Sequence, residues 1–195
     1  MSVNIRRCPN SEIRASEKRD YGVTDLIIEG YFAVFDTEIE IDKRWYESIK
    51  RGAFRESLKN NDVCCLINHE TGRVLARMSN GTLELEETTK GLWGRAVLNS
   101  RDPEAVSVYE KIKRQDIKGC SFGFTYKENG IVVEETERGT VDTLLNVDLL
   151  EVSVTPFPAY PQTDISARAK YAGRNKKQEF NKRIEDIKKK IAERN

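Results

Sequence analysis

Residues 120–127 read CSFGFTYK, and their alternation of aromatic and small side chains is the main basis of the predicted fold. Aromatic side chains occupy every second position: Phe122, Phe124 and Tyr126. Successive side chains of a β-strand point to opposite faces, so this spacing predicts a strand with one aromatic face. Ser121 and Gly123 would lie on the opposite face, which is small and polar. Such a strand packs a core on one side and lines a cleft on the other, although the polar outer face of an edge strand gives the same alternation.

Further short β-like segments surround this stretch. In chain order they are TDLIIEGYFAVF, DVCCLIN, RVLARM, TLELEE, GLWGRAVL and LLNVDLLEVSVTPF. The turn-prone pairs between them are Thr71-Gly72, Asn80-Gly81 and Lys90-Gly91, of which Asn-Gly is the strongest hairpin signal. Asp102-Pro103 opens a helix, with the aspartate as N-cap and the proline in the first turn. The predicted class is α+β and mainly β, an antiparallel sheet or barrel with a few helices packed outside.

The composition fits one globular domain with some appended sequence. The chain has 195 residues, of which 38% are hydrophobic and 33% charged. No apolar run approaches the ~18 residues of a membrane span, and the N-terminal segment lacks the apolar part of a secretory signal, so we expect an intracellular protein. The 4 cysteines form no CxxC pair and there is only 1 histidine, which argues against a zinc site. Reduced thiols are predicted, with no metal and no cofactor.

The chain is predicted to have four parts. Residues 1–22 are polar and aperiodic and are expected to form a flexible leader, followed by the main domain over 23–165. A linker is predicted over 166–175 and a basic amphipathic helix over 176–195, where apolar residues recur at helical spacing. From residue 168 onward the chain carries 11 Lys and Arg against 4 Asp and Glu, a net charge of +7. So narrow an apolar stripe on so charged a helix favours contact with a partner helix.

His69 is the first candidate for chemistry because it is the only histidine. It follows the apolar segment VCCLI, at a strand end near a turn, which is a common location for catalytic side chains. Imidazole is also the side chain best suited to proton transfer near neutral pH. An ordinary exposed loop histidine fits the same pattern.

The nucleophile has two candidates that are adjacent in the chain. Ser121 lies between Gly119 and Gly123, which leave room around the hydroxyl for a substrate backbone. Cys120 is the rival, and on a regular strand it points away from Ser121. Both side chains cannot face His69, and the residues alone leave the choice open.

A third residue is expected to hold the imidazole tautomer and to stabilise the imidazolium. Glu151 interrupts the apolar run LLEVSVTPF, and a carboxylate in such a strand is paired or functional. Asp148, three residues earlier, is expected to face the other side of the strand. A buried ion pair with an arginine, or exposure on a one-sided sheet, would explain Glu151 equally well.

Five segments in a fixed order give the chain a resemblance to a known family. They are EGYFAVF, GAFRESL, LINHE, GCSFGF and LLEVSVTPFPAYPQT, and they extend from about Gly30 to Thr163. Together they resemble the prohead proteases of tailed bacteriophages. The resemblance implies a fold related to the herpesvirus capsid proteases, a small antiparallel β-barrel surrounded by a few helices, here with a C-terminal helical tail.

The resemblance also implies an activity, that of a serine endopeptidase with Ser121 as nucleophile, His69 as general base and Glu151 as third member. Arg168 is a weaker candidate for a contact to the oxyanion. The implied substrate is the scaffolding segment of the major capsid protein or a separate scaffold protein. Cleavage is expected inside assembling proheads in the host cytoplasm.

Self-processing and assembly are further expectations. We expect self-cleavage between Pro161 and Lys176, a homodimer, and docking of the C-terminal helix on scaffold protein. Two other functional classes stay open. One is a catalytically silent capsid-assembly factor, and the other is a structural protein whose basic tail binds nucleic acid without sequence specificity.

Overall fold

The aromatic residues that alternate within residues 120–127 lie on a β-strand, as predicted. The computed structural model describes residues 3–8, 12–20 and 23–156, which contain thirteen strands and two helices. All of these residues lie in the first of two compact units, Met1–Pro161, the second being Gln162–Asn195. The predicted linker and C-terminal helix lie outside the described residues and stay predictions. Neither described helix is long and apolar enough to cross a membrane.

The elements follow one another with short connections. The first five strands are β1 (Asn4–Cys8), β2 (Ile13–Asp20), β3 (Val23–Val34), β4 (Ile39–Asp42) and β5 (Trp45–Ile49). Then come α1 (Ser57–Asn60), β6 (Cys64–Ile67), β7 (Glu70–Arg77), β8 (Leu83–Glu87), β9 (Gly91–Leu98) and α2 (Pro103–Lys113). The last four strands are β10 (Gly119–Tyr126), β11 (Ile131–Thr136), β12 (Gly139–Leu144) and β13 (Val147–Thr155).

The strands form three sheets around a shared core. The first sheet has the order β1-β10-β13-β6-β7, the second β11-β12-β5-β4 and the third β2-β3-β9-β8. Most neighbours are antiparallel, but β13 runs parallel to β6 and β12 runs parallel to β5. Buried side chains from all three sheets meet in one apolar cluster, together with the inner face of α2. The first sheet is the one that carries the candidate site.

The prediction of a mainly β fold with few helices is confirmed, but the prediction that the strands close into a barrel is wrong. The described strands form three open sheets and no closed barrel, and two strand pairs are parallel. Turn signals show where the chain reverses without showing which strand it then pairs with. Asn80-Gly81 illustrates this, because it connects β7 to β8 and these strands belong to different sheets.

Helix α2 begins as its sequence predicts. The Asp102 carboxylate accepts a hydrogen bond of 2.9 Å from the backbone N–H of Glu104, and Pro103 occupies the first turn. A buried stripe then packs the helix onto β2 and β3: Ala105, Val108, Tyr109 and Ile112. N-cap hydrogen bonds of this kind contribute about 1 kcal/mol, and the apolar stripe supplies the remaining stabilisation.

The N-terminal segment contains two strands, β1 and β2, where a flexible leader was predicted. Polar residues misled the prediction because two of them are buried: Asn4 and Arg6 are only 9% and 6% exposed. The Arg6 guanidinium makes a two-pronged ion pair with Glu47 of β5, one contact being Nη2 to Oε2 at 2.8 Å. Burial alone lowers the pKa of Arg6, but the charge and hydrogen bonds of Glu47 outweigh it and raise the pKa above its ordinary value.

Glu47→Gln is expected to lower the free energy of unfolding by about 3–5 kcal/mol, because it removes the carboxylate that pairs with a buried guanidinium and leaves it only the weaker charge interaction with Asp142. The measurement is the denaturant midpoint followed by tryptophan fluorescence. Asp36→Asn is the matched control, since it neutralises an exposed ion pair with Lys50, whose atoms lie 2.6 Å apart. That exposed pair contributes less than about 1 kcal/mol. Equal losses in the two variants would show that the Arg6 pair is not a buried anchor of β1.

Candidate active site

The pairing of β10 with β13 sorts side chains onto two faces. Directly opposed residues share a face, and Ser121 lies opposite Ser153 while Gly123 lies opposite Glu151. The other face belongs to the core, where the Phe122 ring lies 5.4 Å from that of Phe124. The separation of faces predicted for residues 120–127 is therefore present. We call the polar side of these two strands the site face.

Glu151 shares the site face with Ser153 by ordinary alternation, and a β-bulge at Leu150 then shifts the residues that precede it. The register passes from Gly123↔Glu151 to Phe124↔Leu149, so Leu150 is the extra residue. A bulge of this kind resets the alternation of side chains along its strand. Leu149 therefore lies in the core with 0% exposure, although it is two residues from Glu151. The same bulge puts Asp148 opposite Thr125 on the site face, so the prediction that Asp148 faces the other side is wrong.

Gly123 has no side chain because the Glu151 carboxylate occupies the space in front of it. A Cβ built on Gly123 would lie 2.2 Å from Oε1 of Glu151 and 3.0 Å from its Cδ. No real Cβ approaches another atom so closely, so any larger residue at 123 would displace the carboxylate. Gly123 thus makes space for Glu151, and the open room beside Ser121 that the sequence predicted is not present, because Ser121 is 0% exposed.

His69 lies in the two-residue turn between β6 and β7. Asn68 and His69 have φ values of +52° and +64°, and Ile67 pairs with Glu70 across the turn. Two successive positive φ angles are typical of the tight type I′ hairpin, and asparagine and histidine tolerate them better than most residues. The true turn thus precedes Thr71-Gly72, which lies within β7.

Parallel pairing anchors this turn to β13. Because β6 and β13 run in the same direction, the turn lies beside the end of β13. The backbone N–H of Asn68 donates to the carbonyl of Val154 at 3.1 Å, and that of His69 donates to Oγ of Ser153 at 3.1 Å. These two bonds fix the backbone from which the imidazole projects.

The imidazole of His69 is hydrogen-bonded to Glu151. Nδ1 lies 2.7 Å from Oε1 of the carboxylate, and the two side chains are 13% and 11% exposed. The second carboxylate oxygen, Oε2, accepts a bond of 2.6 Å from the hydroxyl of Ser153. An ionised carboxylate can only accept, so Nδ1 is the donor in this bond, and in the neutral imidazole Nε2 then presents a lone pair. Nε2 is buried and has no hydrogen-bond partner among the residues that the structure describes.

The Ser121 hydroxyl is close to this group but bonded elsewhere. It is fully buried and donates to the backbone carbonyl oxygen of Arg6, on β1, at 2.7 Å. The bond from Ser121 to Nε2 of His69 is therefore not formed. Ser121 nevertheless lies directly opposite Ser153, whose hydroxyl contacts both His69 and Glu151. Nucleophile–base hydrogen bonds are commonly long or absent without substrate and form in the complex.

The neighbouring thiols lie in unfavourable positions for nucleophilic attack. Cys120 pairs with Val154 on the core side and belongs to the apolar cluster, so it faces away from His69, as a regular strand predicts. Cys64 lies on β6, pairs with Glu151 of β13, and is partly buried. Burial first, and then the nearby carboxylates of Asp62 and Glu151, raise the pKa of the Cys64 thiol against the opposing effect of Arg77. A raised pKa keeps this thiol protonated and poorly nucleophilic.

Ser153 is the site residue that sequence reasoning missed. It is fully buried and makes two side-chain hydrogen bonds within the site. The run EVSVT carried a usable signal, because alternation places Ser153 on the same face as Glu151. Arg168, the weaker candidate for an oxyanion contact, lies outside the described residues.

A serine and a carboxylate on one face of a sheet, with a histidine in the adjoining turn, are typical of hydrolases that use a serine nucleophile. The comparison with known families is more specific. The chain belongs to the caudovirus prohead serine protease family, whose model matches residues 10–178. No curated protein and no solved structure matches the chain significantly, so the relation to herpesvirus capsid proteases stays a prediction.

Family membership makes the protein a serine peptidase of phage prohead maturation. A prohead protease acts on capsid or scaffold proteins, inside phage proheads in the host cell. The resemblance seen in the five sequence segments is thereby confirmed at the level of the family.

Proposed function

We propose that the protein is an endopeptidase that works through Ser121, His69 and Glu151. One observation carries the proposal: Nδ1 of His69 is bonded to Glu151 at 2.7 Å, while Nε2 is buried without a partner in the described part of the chain. A buried acceptor without a donor is costly unless the site uses it. A proton from a serine hydroxyl on the neighbouring strand would satisfy it, and that transfer is the first step of serine peptidase chemistry.

The reaction follows from these positions. The Ser121 proton passes to Nε2 of His69 while Oγ attacks the scissile carbonyl carbon and forms a C–O bond. Glu151 stabilises the imidazolium that results. The imidazolium then protonates the leaving amine as the C–N bond breaks, which leaves an acyl-enzyme. Water gives a proton to His69, attacks the ester carbon, and releases the second product as Oγ regains its proton.

The Ser121 hydroxyl must change its partner before the first step. In the free protein it donates to the Arg6 carbonyl, so rotation about χ1 is needed to direct it to Nε2. Exchanging one neutral hydrogen bond for another costs little, about 1 kcal/mol or less. We infer that the rotated serine is accessible at this small cost and that substrate binding favours it.

The substrate and the partners rest on family membership. We propose that the enzyme cleaves the scaffolding segment of the major capsid protein or a separate scaffold protein, inside assembling proheads in the host cytoplasm. Self-cleavage between Pro161 and Lys176, docking of the basic C-terminal helix on scaffold, and a homodimer belong to the same proposal. The cleavage region and the C-terminal helix lie beyond residue 156, outside the described residues.

A catalytically silent assembly factor is the second candidate. It is favoured by the complete burial of Ser121 and by its bond to the Arg6 carbonyl. Covalent labelling of the serine during cleavage separates the two candidates. A silent factor would neither cleave the phage's own precursor nor react with a reagent for activated serines.

Covalent labelling tests the proposal. The protein is incubated with its own capsid or scaffold precursor, with and without a fluorophosphonate, which phosphonylates serines activated by a base and releases fluoride. The expected result is loss of cleavage in proportion to a single label, which peptide mass spectrometry maps to Ser121. His69→Gln is expected to reduce the labelling rate by at least about 10³-fold, since the base is absent. A label on another residue, or cleavage that survives full labelling of Ser121, would refute the assignment.

A further inference from the structure

We propose that Ser153 is a positioning residue of this active site. Its hydroxyl joins two groups that must be fixed relative to each other, the Glu151 carboxylate and the backbone of the turn that carries His69. The inference rests on the proposed catalytic roles of His69 and Glu151 and adds a fourth member that acts through them.

The geometry of the Ser153 hydroxyl is that of a bridge. It donates its proton to Oε2 of Glu151 at 2.6 Å and accepts from the backbone N–H of His69 at 3.1 Å. A hydroxyl has one proton to donate, so these two bonds define its orientation. With Oε2 held by Ser153, the other carboxylate oxygen is directed at Nδ1 of His69, 2.7 Å away.

The second bond matters because of the backbone it holds. His69 has a φ of +64°, a conformation that is less favourable than the ordinary regions for residues other than glycine. A side-chain acceptor for its N–H helps to stabilise that conformation at this partly buried position. Loss of the bond would allow the turn, and with it the imidazole, to shift relative to Ser121.

The position of Ser153 also explains its small size. It lies directly opposite Ser121 in the β10–β13 pair and is 0% exposed, as Ser121 is. Opposed Cβ atoms in antiparallel strands are about 4.5–5.5 Å apart, so a large side chain at 153 would crowd the proposed nucleophile. A serine there is small enough to leave that space and polar enough to reach both partners.

The chain contains a matched control for removing this hydroxyl. Ser57 is likewise 0% exposed, and it also donates one hydrogen bond and accepts one, to the carbonyl of Val147 and from the N–H of Leu149. Both of its partners lie on β13, but they are outside the site. Ser57→Ala therefore removes two buried hydrogen bonds from the same strand without touching His69 or Glu151.

The first readout is kinetic. Ser153→Ala is expected to lower kcat for the capsid or scaffold precursor by about 10- to 100-fold, with KM changed less than about threefold, because small displacements of catalytic groups slow chemistry more than binding. Ser153→Thr retains the hydroxyl and is expected to restore most of the rate. Ser57→Ala is expected to lower the melting temperature comparably and to leave kcat unchanged.

The second readout needs no substrate. Because His69 is the only histidine, labelling histidine with nitrogen-15 gives one set of imidazole signals in the full-length chain. The wild-type protein is expected to show a protonated Nδ1 whose hydrogen exchanges slowly with water. In Ser153→Ala that exchange is expected to be about tenfold faster, since the loss of one hydrogen bond weakens the Nδ1–Glu151 contact. Ser57→Ala should leave the signal unchanged.

The two readouts separate failure of this proposal from failure of the proposed function. If the enzyme cleaves nothing but the imidazole signal responds as expected, Ser153 positions His69 and the peptidase assignment is wrong. If Ser153→Ala behaves like Ser57→Ala in both readouts, Ser153 only stabilises the fold and the proposal is overturned. Should Ser153→Ala fail to fold, Ser153→Cys replaces it with the same expectations, because a thiol keeps the volume and is a weak donor.

Discussion

Ser121→Ala is expected to abolish cleavage of the capsid or scaffold precursor, with a rate loss of about 10⁴- to 10⁶-fold. The substitution removes the only atom that can form the acyl-enzyme, and nucleophile and base act as one unit, so the remaining groups cannot compensate. The fold should survive, because the one bond lost is that to the Arg6 carbonyl and a neutral hydrogen bond contributes about 1 kcal/mol. Intact-mass spectrometry of the precursor over time measures the rate.

The control for this experiment is Cys120→Ala. It removes the rival nucleophile from the core side of the same strand, and the rate is expected to stay within a few-fold of the wild type. The opposite pattern, with Ser121→Ala active and Cys120→Ala inactive, would make the thiol the nucleophile. The same mass spectra of enzyme kept at high concentration show whether it shortens itself, and a truncation that also appears in Ser121→Ala would contradict self-cleavage by this serine.

Glu151→Gln is expected to give the second-largest loss, about 10³- to 10⁴-fold in kcat. The neutral amide keeps the shape of the side chain but can donate a hydrogen bond to Nδ1 of His69. That bond favours the tautomer in which Nε2 carries the proton, and such an imidazole cannot accept the proton of Ser121. The imidazolium would also lose its counter-charge. Steady-state kinetics measure kcat, and the nitrogen-15 signals of His69 report the tautomer directly.

Asp148→Asn is the matched control for Glu151→Gln. Asp148 lies on the same strand and the same face, but its carboxylate is partly exposed and contacts Lys127 at 3.3 Å. Its neutralisation is expected to change kcat less than about threefold. Equal losses in both variants would indicate a general charge effect, and an unchanged rate in Glu151→Gln would remove Glu151 from the mechanism.

Local sequence signals predicted the parts of the fold that local physics determines. The aromatic alternation around Phe122 defines β10, and Asp102-Pro103 marks the start of α2, because strand faces and helix caps depend on near neighbours. The segment from Ile39 to Asn60 contains only one short helix, α1, since β4 and β5 occupy its first part. The pairing of β5 with β12 determines that Trp45–Ile49 is a strand, and β12 is distant in the chain.

The residues alone indicated His69 and Glu151 but left Ser121 and Cys120 as alternative nucleophiles, and the geometry of the candidate site could not be predicted. His69, Ser121 and Glu151 stand out by uniqueness, spacing and polarity. The bulge at Leu150, by contrast, has no local signal in the sequence, and it puts Asp148 on the same face as Glu151. The same limit applies to β1, because Arg6 looks like part of a solvated leader until Glu47, 41 residues later, is placed beside it.

The position of β13 in the first sheet has a consequence for the timing of synthesis. This strand is the last described element of the chain, yet it lies between β10 and β6 and supplies Glu151 and Ser153. A nascent chain that has not yet exposed β13 outside the ribosome therefore lacks the strand that connects the serine to the histidine. Pairings between residues so distant in sequence form late in folding. The proposed catalytic group can therefore assemble only after residues 147–155, which form β13, have been synthesised and paired.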